Sequence, residues 1–264
     1  MSRFIWRVGI ITADRPGGSL LAMTVRSVLE AGFSGGRTTV FCQVGSRPPE
    51  QVPPGVLVSD GSVEPGAYRN WRHALKSLLD DCEASIAPAD STRLIVLEDD
   101  VLVSLGLREY LDCLPPPPDG VASLYSAAPN DESDSLFGWI RVARVPQRAF
   151  GALGYVFTPD LARRFLDSAP LTHKPHGTDH AVGLWCRDRG VPYYVHAPSF
   201  LVHRGAKSSV PDAGVDANRQ CRRFIRSIAA TMDPTTEVTR VRADVVDQAT
   251  GECRTVAVTR PAGR

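Results

Sequence analysis

The sequence lacks the features that mark several common protein classes. Its six cysteines are widely spaced and form no CxxC pair, which argues against a zinc module and against a small disulfide-rich scaffold. No apolar run approaches the ~20 residues of a membrane-spanning helix, and the apolar segment at the N-terminus is too short for a signal peptide. These absences predict a cytoplasmic protein with no membrane span.

The chain also lacks an excess of charge of either sign. It contains 30 Lys and Arg residues against 29 Asp and Glu residues, for a formal net charge of +1. Such a balance predicts no bulk attraction to nucleic acid or to an anionic membrane. Any anion that the protein binds should therefore be small and held at a local site, and no nucleic-acid partner is expected.

Strand-like and helix-like segments alternate along most of the chain. Residues 4–12 and 38–44 have the apolar pattern of strands, whereas residues 66–82 carry apolar side chains at helical spacing. Alternation at these lengths predicts βαβ crossovers and a mostly parallel, right-handed sheet flanked by helices. At 264 residues the chain can bury one sizeable core. The predicted fold class is therefore α/β, with one main domain.

The pattern changes beyond residue 210. Residues 220–232 place apolar side chains at helical spacing with arginines between them, which predicts a basic amphipathic helix. Residues 238–245 and 255–259 alternate apolar and polar side chains on either side of a Gln-Ala-Thr-Gly turn, which predicts a β-hairpin. We therefore expect residues 211–264 to form a small C-terminal appendage of one helix and one hairpin.

The most informative stretch is residues 93–100, with the sequence RLIVLEDD. Its apolar run predicts a strand covered on both faces, and its three acids follow at the carboxyl end, where open α/β sheets bind ligands. Carboxylates crowded together repel one another and lose hydration, so a compensating cation is expected, most simply a divalent metal with oxygen ligands. The alternative is that the three acids are solvated and cap the next turn.

Four features carry a resemblance to a known class of enzyme. In chain order they are an acidic triplet, a glycine-containing loop, an aspartate at a predicted helix start and a later histidine: Glu98-Asp99-Asp100, residues 150–155 (FGALGY), Thr178-Asp179 and His203. The set resembles the DXD motif, the glycine loop, the xED position and the C-terminal histidine of glycosyltransferases of the GT-A fold, which use nucleotide-sugar donors. It departs from the pattern in having Glu98 as the first acid of the triplet and Thr178 in place of a glutamate.

The resemblance implies a GT-A domain over residues 1–210, built on a Rossmann-like, mostly parallel sheet. Its nucleotide-binding half would comprise residues 1–103 and its acceptor half residues 104–210, with residues 211–264 as the appendage. The partners implied are a nucleotide-sugar donor and an acceptor that is a glycan, a protein or a small molecule.

The resemblance also implies roles for the acids and the histidine. Asp100 and His203 would be ligands of Mn²⁺ or Mg²⁺, and an imidazole ligand favours Mn²⁺. Glu98 and Asp99 would divide the contacts to the ribose and to metal-bound water. Asp179 would be the general base of an inverting transfer, or would position a sugar in a retaining one. The alternatives are a buried His203 bonded to backbone, and an Asp179 that complements its helix dipole.

Further residues are predicted to contact the nucleotide sugar. They lie in loops at strand ends, where side chains and flexible backbone can reach a ligand: Thr12, Arg15, Asp60, Gly151, Gly154 and Lys207. Thr12 and Arg15 would contact base and phosphate, Asp60 a base N–H, and Lys207 a phosphate. The two glycines would permit a close approach of the sugar to the backbone.

The predicted function is therefore a metal-dependent glycosyltransferase that moves a sugar from a UDP- or GDP-linked donor to an acceptor hydroxyl. One alternative is a nucleotidyltransferase that makes a sugar nucleotide, which would release pyrophosphate. Its expected glycine-rich loop directly after the first strand is a poor match here, because Asp14-Arg15-Pro16 precedes Gly17-Gly18. The other alternative is a non-catalytic carbohydrate- or nucleotide-binding protein on the same fold, which would bind without turnover.

Overall fold

The computed structural model of the chain describes residues 4–13, 20–43, 52–60, 66–86, 88–131, 136–145, 149, 151–168, 177–204, 220–233, 235 and 238–261. Within these residues the α-helices are, in chain order, α1 (Leu21–Glu30), α2 (Ala67–Glu83), α3 (Leu107–Cys113), α4 (Pro159–Ser168) and α5 (Gly177–Arg189). The strands are β1 (Ile5–Thr12), β2 (Thr38–Cys42), β3 (Leu57–Asp60), β4 (Thr92–Glu98), β5 (Val101–Val103), β6 (Val121–Ser123), β7 (Gly138–Arg141), β8 (Gly154–Phe157), β9 (Tyr193–Ala197), β10 (Leu201–His203), β11 (Arg223–Asp233), β12 (Val238–Asp247) and β13 (Cys253–Pro261).

Eight strands form the central sheet, in the order β3-β2-β1-β4-β8-β6-β9-β7. Strands β1, β2, β3 and β4 pair in parallel, as do β6 and β9, whereas β8 and β7 pair antiparallel with their neighbours. Helices α1 and α3 pack on one face of the sheet, and α2, α4 and α5 pack on the other. The predicted Rossmann-like α/β class, mostly parallel and flanked by helices, is confirmed.

Strand β4 is buried on both faces, as its unbroken apolar run predicted. Ile95 and Leu97 belong to the core on the α1 and α3 side, while Leu94 and Val96 belong to the core on the α2 side. Successive side chains of a strand point to opposite faces, so a strand between two helical layers needs apolar residues at every position. The acids begin where this double cover ends.

A separate two-stranded sheet lies beyond the end of β4. Strand β5 follows directly after the Asp99-Asp100 turn and pairs antiparallel with β10, so that Val101 stands opposite His203. His203 is the last residue of β10. The pairing determines where His203 lies, because it brings the end of β10 next to the acidic turn.

The predicted helix over residues 220–232 is wrong, because residues 223–233 form strand β11 of a three-stranded antiparallel sheet. We call this sheet, β11-β12-β13, the C-terminal sheet. A β-bulge between Ile225 and Ser227 shifts the alternation by one residue. As a result Ile225 and Ile228 are both buried, three positions apart, which imitates helical spacing. The predicted hairpin is confirmed as β12 and β13.

The C-terminal sheet packs on the rest of the chain. Phe224, Ile225 and Ile228 of β11 join the same core as α1 and α3, and Leu105 and Ser199 form bridges with β11. The sheet therefore extends one face of the main core. Among the described helices, none is long and apolar enough to cross a membrane.

Candidate active site

The acidic triplet ends β4 and forms the turn into β5. Glu98 is half-buried, whereas Asp99 and Asp100 are only 1% and 2% exposed. Burying two adjacent carboxylates is costly unless hydrogen-bond donors or cations compensate each of them. Asp99 and Asp100 are therefore not the solvated caps that the alternative interpretation expected, and each of the two has a specific partner.

Asp99 is held by the end of the neighbouring strand. The hydroxyl of Thr12, the last residue of β1, donates to Asp99 Oδ2 at 2.5 Å. The two residues meet because β1 and β4 pair in parallel and end at the same edge, with Ile11 opposite Glu98. Two residues that were predicted to contact the nucleotide therefore lie together, and the Thr12 hydroxyl fixes the Asp99 carboxylate.

The backbone of the acidic turn is held by α1, through residues that the sequence analysis missed. The buried Thr24 Oγ1 lies 2.8 Å from the carbonyl oxygens of Asp99 and Val101, and it accepts the Val101 N–H at 3.2 Å. Ser27 Oγ likewise accepts the Val103 N–H at 3.2 Å. These hydroxyls supply β5 with partners that a neighbouring strand would otherwise provide. The available signal was a Thr and a Ser three positions apart on the apolar face of a helix.

Asp100 contacts His203, the other residue that was predicted as a metal ligand. His203 Nε2 lies 3.0 Å from Asp100 Oδ2, and the Arg204 N–H donates to the Asp100 carbonyl at 2.8 Å. The Asp100 side chain is 3% exposed, whereas that of His203 is 36% exposed. His203 is therefore not a buried histidine bonded to backbone. It presents one ring edge to a buried carboxylate and another part of its surface to solvent.

The Asp100 and His203 pair fits a divalent cation. A carboxylate oxygen and an imidazole nitrogen that already approach within hydrogen-bond distance form a donor set that Mn²⁺ accepts. Within the described part of the chain, no group of three or more His, Cys, Asp or Glu side chains is arranged as a metal site. The pair would therefore supply two protein ligands, and the remaining ligands would come from elsewhere, such as nucleotide phosphates.

Asp179 and Gly151 also come together. Asp179 lies in the first turn of α5, and its Oδ2 accepts the Gly151 N–H at 3.1 Å while its Oδ1 accepts the His180 N–H at 2.8 Å. Gly151 has a φ of +75°, and a Cβ there would lie 2.9 Å from the Tyr125 ring, so only glycine fits. The half-buried Asp179 carboxylate is thus oriented by two backbone donors.

The loop that Asp179 holds is tied to the acidic strand. The Glu98 N–H donates to the Leu153 carbonyl at 3.2 Å, and Leu97 stands opposite Gly154 in the β4–β8 pairing. A Cβ on Gly154 would lie 2.5 Å from Leu201 Cδ1, so this glycine allows β8 and β10 to pack closely. Gly154 is buried within the sheet.

Two buried phenols lie near Asp179. Burial raises the pKa of Tyr155 well above its usual value, and the charge of Asp179 is among the further causes. Burial likewise raises the pKa of Tyr193, with a contribution from Asp179. Both hydroxyls therefore stay protonated at neutral pH and provide dipoles close to the carboxylate.

Of the remaining predicted nucleotide contacts, Asp60 lies within the described residues. Asp60 ends β3, which is three strands from β4 and so roughly 14 Å away at about 4.8 Å per spacing. Arg15 and Lys207 lie outside the described residues. Asn70 of α2 is 2% exposed and donates to the carbonyls of Phe41 and Thr12 at 3.2 and 3.4 Å, so it joins the ends of β2 and β1.

Comparison with known proteins gives similarity in fold only. No protein-family model matches the sequence, and no curated protein matches it. A mannosyltransferase from Pyrobaculum calidifontis, solved in complex with GDP-Man and Mn²⁺, is similar with a TM-score of 0.48 and 17% identity over 77% of this chain and 58% of its own. A putative glucose-1-phosphate thymidylyltransferase from Bacillus anthracis, solved with sucrose, is similar with a TM-score of 0.44 and 12% identity over 75% of this chain and 89% of its own. This chain thus spans 58% of the mannosyltransferase's length, and neither alignment assigns a ligand to it.

Proposed function

We propose that the chain is a metal-dependent glycosyltransferase that moves a sugar from a UDP- or GDP-linked donor to an acceptor hydroxyl, with inversion. The observation that carries this proposal is the 3.0 Å contact between the buried Asp100 carboxylate and His203. It occurs at the carboxyl edge of the parallel strands, where ligands bind in open α/β sheets. A buried acid facing a partly exposed histidine there supports a cation site that opens towards solvent.

Asp100 and His203 would hold the cation, Mn²⁺ or Mg²⁺. When bound, it would act as a Lewis acid that orients the diphosphate and stabilises the charge that develops on the leaving phosphate. The chain itself fixes the donor side: Thr24 holds the turn backbone, and Thr12 holds Asp99 so that its carboxylate cannot rotate freely. These contacts pre-organise the acids before a donor binds.

Asp179 would act as the general base on the acceptor side. The acceptor oxygen attacks the anomeric carbon, the bond from that carbon to the phosphate oxygen breaks, and the hydroxyl proton passes to the Asp179 carboxylate. The two backbone donors, from Gly151 and His180, hold the carboxylate in one orientation. The Gly151 loop also carries Leu153, which is bonded to Glu98, so the base and the acids belong to one connected arrangement.

The test is calorimetric titration of UDP- and GDP-linked sugars with and without Mn²⁺. We expect saturable binding of at least one donor that requires the metal and is lost in Asp100→Asn. Asp119→Asn, which changes an exposed acid bonded to the Tyr194 hydroxyl, is the matched control and should bind normally. Absence of nucleotide binding, or binding that ignores both the metal and Asp100→Asn, would refute the proposal.

The two alternative activities give different products. A sugar-nucleotide synthesising enzyme would release pyrophosphate from a nucleoside triphosphate and a sugar phosphate. A non-catalytic binding protein would bind the donor and release neither nucleoside diphosphate nor pyrophosphate with any acceptor. Release of nucleoside diphosphate that depends on an added acceptor is the outcome that the proposed function predicts.

A further inference from the structure

A cavity of about 400 Å³ lies beside β7, the edge strand of the central sheet. Its lining combines an apolar wall with two arginines and an asparagine: Pro129, Asn130, Leu136, Ile140, Arg141, Val142, Ala143, Arg144 and Val195. This volume lies within the range of small-molecule sites, about 300–1,000 Å³. The cavity is separate from the cluster formed by Asp99, Asp100 and His203.

The cavity lies on the same face of the sheet as the proposed base. Val142 and Val195 in its wall belong to the core that also contains Ala181 and Val182 of α5. Asp179 occupies the first turn of that same helix. A molecule in the cavity would therefore lie on the α5 side of the sheet, within the half of the chain predicted to bind the acceptor.

Two arginines at the cavity form no ion pair within the described residues. Arg141 and Arg144 are both exposed there. A second cavity of about 460 Å³ shares residues 141–143 and adds Arg187, which is paired with Asp188 at 2.7 Å. Among the described residues that line the two cavities, none is acidic. Two guanidinium groups that are not paired with a described acid favour an anionic ligand.

Part of the cavity wall is held in place by the C-terminal sheet. Arg223 of β11 forms a buried ion pair with Asp131, with Nε 2.9 Å from Oδ2, and its Nη2 also donates to the Leu136 carbonyl at 3.4 Å. Arg260 of β13 donates to the Phe137 carbonyl. Both ends of the segment that bears Asn130 and Leu136 are therefore fixed. Leu136 nevertheless leaves 37% of its surface exposed, as an apolar surface that faces the cavity.

We propose that this cavity binds the acceptor through an anionic group, a carboxylate or a phosphate, held by Arg141 and Arg144. An apolar part of the same molecule packs against Leu136 and Ile140. This inference rests on the proposed function for the identity of the ligand as acceptor, whereas the anion site itself does not depend on it. It also gives the C-terminal sheet a role, since Arg223 and Arg260 hold the wall of the acceptor site.

The test is titration of phenyl phosphate and benzoate, with neutral benzyl alcohol as the uncharged reference. The wild-type chain should bind one or both anions saturably in the millimolar range and more tightly than the alcohol, and the stronger anion identifies phosphate or carboxylate as the preferred group. The double variant Arg141→Gln/Arg144→Gln should weaken anion binding at least about tenfold, because it removes two charge-assisted donors while keeping a polar side chain at each position. Arg26→Gln, at an exposed position of α1, removes one positive charge far from the cavity and should change nothing.

The outcomes separate this inference from the proposed function. Absence of saturable anion binding, equal binding of benzyl alcohol, or an equal loss in Arg26→Gln would overturn the cavity proposal while leaving metal-dependent donor binding intact. Failure of donor binding alongside anion binding that depends on the two arginines would overturn the glycosyltransferase proposal and leave an anion site. The double variant should also retain normal donor affinity, since neither arginine belongs to the Asp100 and His203 site.

Discussion

Two regions of the molecule are each built around a histidine, and they differ in every property that decides a histidine's role. His196 of β9 is fully buried, and rings of Tyr110, Phe137, Trp139 and Phe200 surround it at centroid distances of 4.0 to 5.5 Å. Its Nε2 accepts the Tyr110 hydroxyl at 2.8 Å, and its Nδ1–H donates to the Pro198 carbonyl at 2.8 Å. Both ring nitrogens are thus used within the protein.

His203 stands in contrast at the end of β10. It is partly exposed, and it contacts the buried carboxylate of Asp100 at the edge of the sheet where ligands bind. A histidine that is bonded to neutral groups in an aromatic core stabilises the fold. A histidine that contacts a carboxylate and is also partly exposed to solvent can be reached by a cation. The comparison predicts that changes at the sheet edge affect activity, and that changes in the aromatic region affect stability.

The largest effect is expected at the sheet edge from Asp179→Asn. The amide cannot take up a proton, so kcat should fall by about 10²–10⁴-fold, while donor affinity and unfolding free energy stay near those of the wild type. The amide oxygen of the variant can still accept the Gly151 N–H, which keeps the loop in place. Steady-state kinetics with donor titration checks this, and Asp188→Asn on the same helix is the control. An equal loss of donor binding would make Asp179 a structural or donor-contacting residue.

The next effect is expected from His203→Gln. Loss of the imidazole should weaken metal-dependent donor binding about 10–100-fold, which is the scale of effect seen when a metal site loses supporting groups. The unfolding free energy should change little, because the side chain is partly exposed. Calorimetry with Mn²⁺ measures the first quantity and urea denaturation the second. His196→Gln should give the reverse pattern, with lower stability and unchanged donor affinity. If the two variants lost donor affinity and stability to the same extent, the proposed difference between the two histidines would be contradicted.

A pH dependence of stability is expected from the aromatic region. Burial lowers the pKa of His196 from 6.5 to about 3, with a smaller lowering by the Arg260 charge and an opposing effect of the hydrogen bond to the Pro198 carbonyl. Between these two pKa values the unfolded chain takes up a proton at His196 that the folded chain does not. The stability that depends on neutral His196 is therefore fully present above pH 6.5 and is lost as the pH falls towards 3. The loss is about 1.4 kcal/mol per pH unit within that window.

The variant His196→Gln isolates this term. Unfolding free energies from urea denaturation at several pH values between 4 and 7 should show a shallower slope for the variant than for the wild type. Equal slopes would mean that His196 is protonated in the folded chain. Tyr110 does not complicate the experiment, because burial raises its pKa and keeps its hydroxyl protonated.

The smallest effect is expected from Thr24→Val, which removes one buried hydroxyl beneath the acidic turn. The Val101 N–H loses its partner, so the unfolding free energy should fall by about 1–3 kcal/mol. Donor affinity should weaken as well, since the Asp99 and Asp100 backbone is less firmly held. Thr24→Ser should recover most of both quantities, and failure of that recovery would assign the effect to packing of the lost methyl group.

The sequence predicted correctly those helices and strands whose apolar residues repeat because one or both of their faces are buried against other elements. The apolar run of β4 and the helical spacing of Trp71, Leu75 and Leu78 in α2 have only one good interpretation in an α/β chain. The strand β11 was mistaken for a helix because a bulge changed its period. The roles of the two histidines could not be read locally, since each follows apolar residues in a short strand. Position in the sheet and the choice of partner separate them.

The acidic site likewise contains residues that the sequence predicted and residues that it did not. The resemblance assigned Asp100 and His203 to one metal site, and the structure brings these two side chains into contact. It did not predict that the Asp179 carboxylate would accept the Gly151 N–H. Thr24 and Ser27 were missed because their hydroxyls act on a strand some 75 residues further along the chain. Contacts of that kind depend on how a helix docks, and no local pattern encodes them.

The most direct test of the central claim is electron spin-echo spectroscopy of Mn²⁺ bound together with a nucleoside diphosphate. If Asp100 and His203 hold one ion, the wild-type spectrum should show coupling to an imidazole nitrogen. That coupling should disappear in His203→Gln and persist in His196→Gln. A wild-type spectrum without nitrogen coupling, or coupling that survives in His203→Gln, would contradict the claim that these two residues form the metal site.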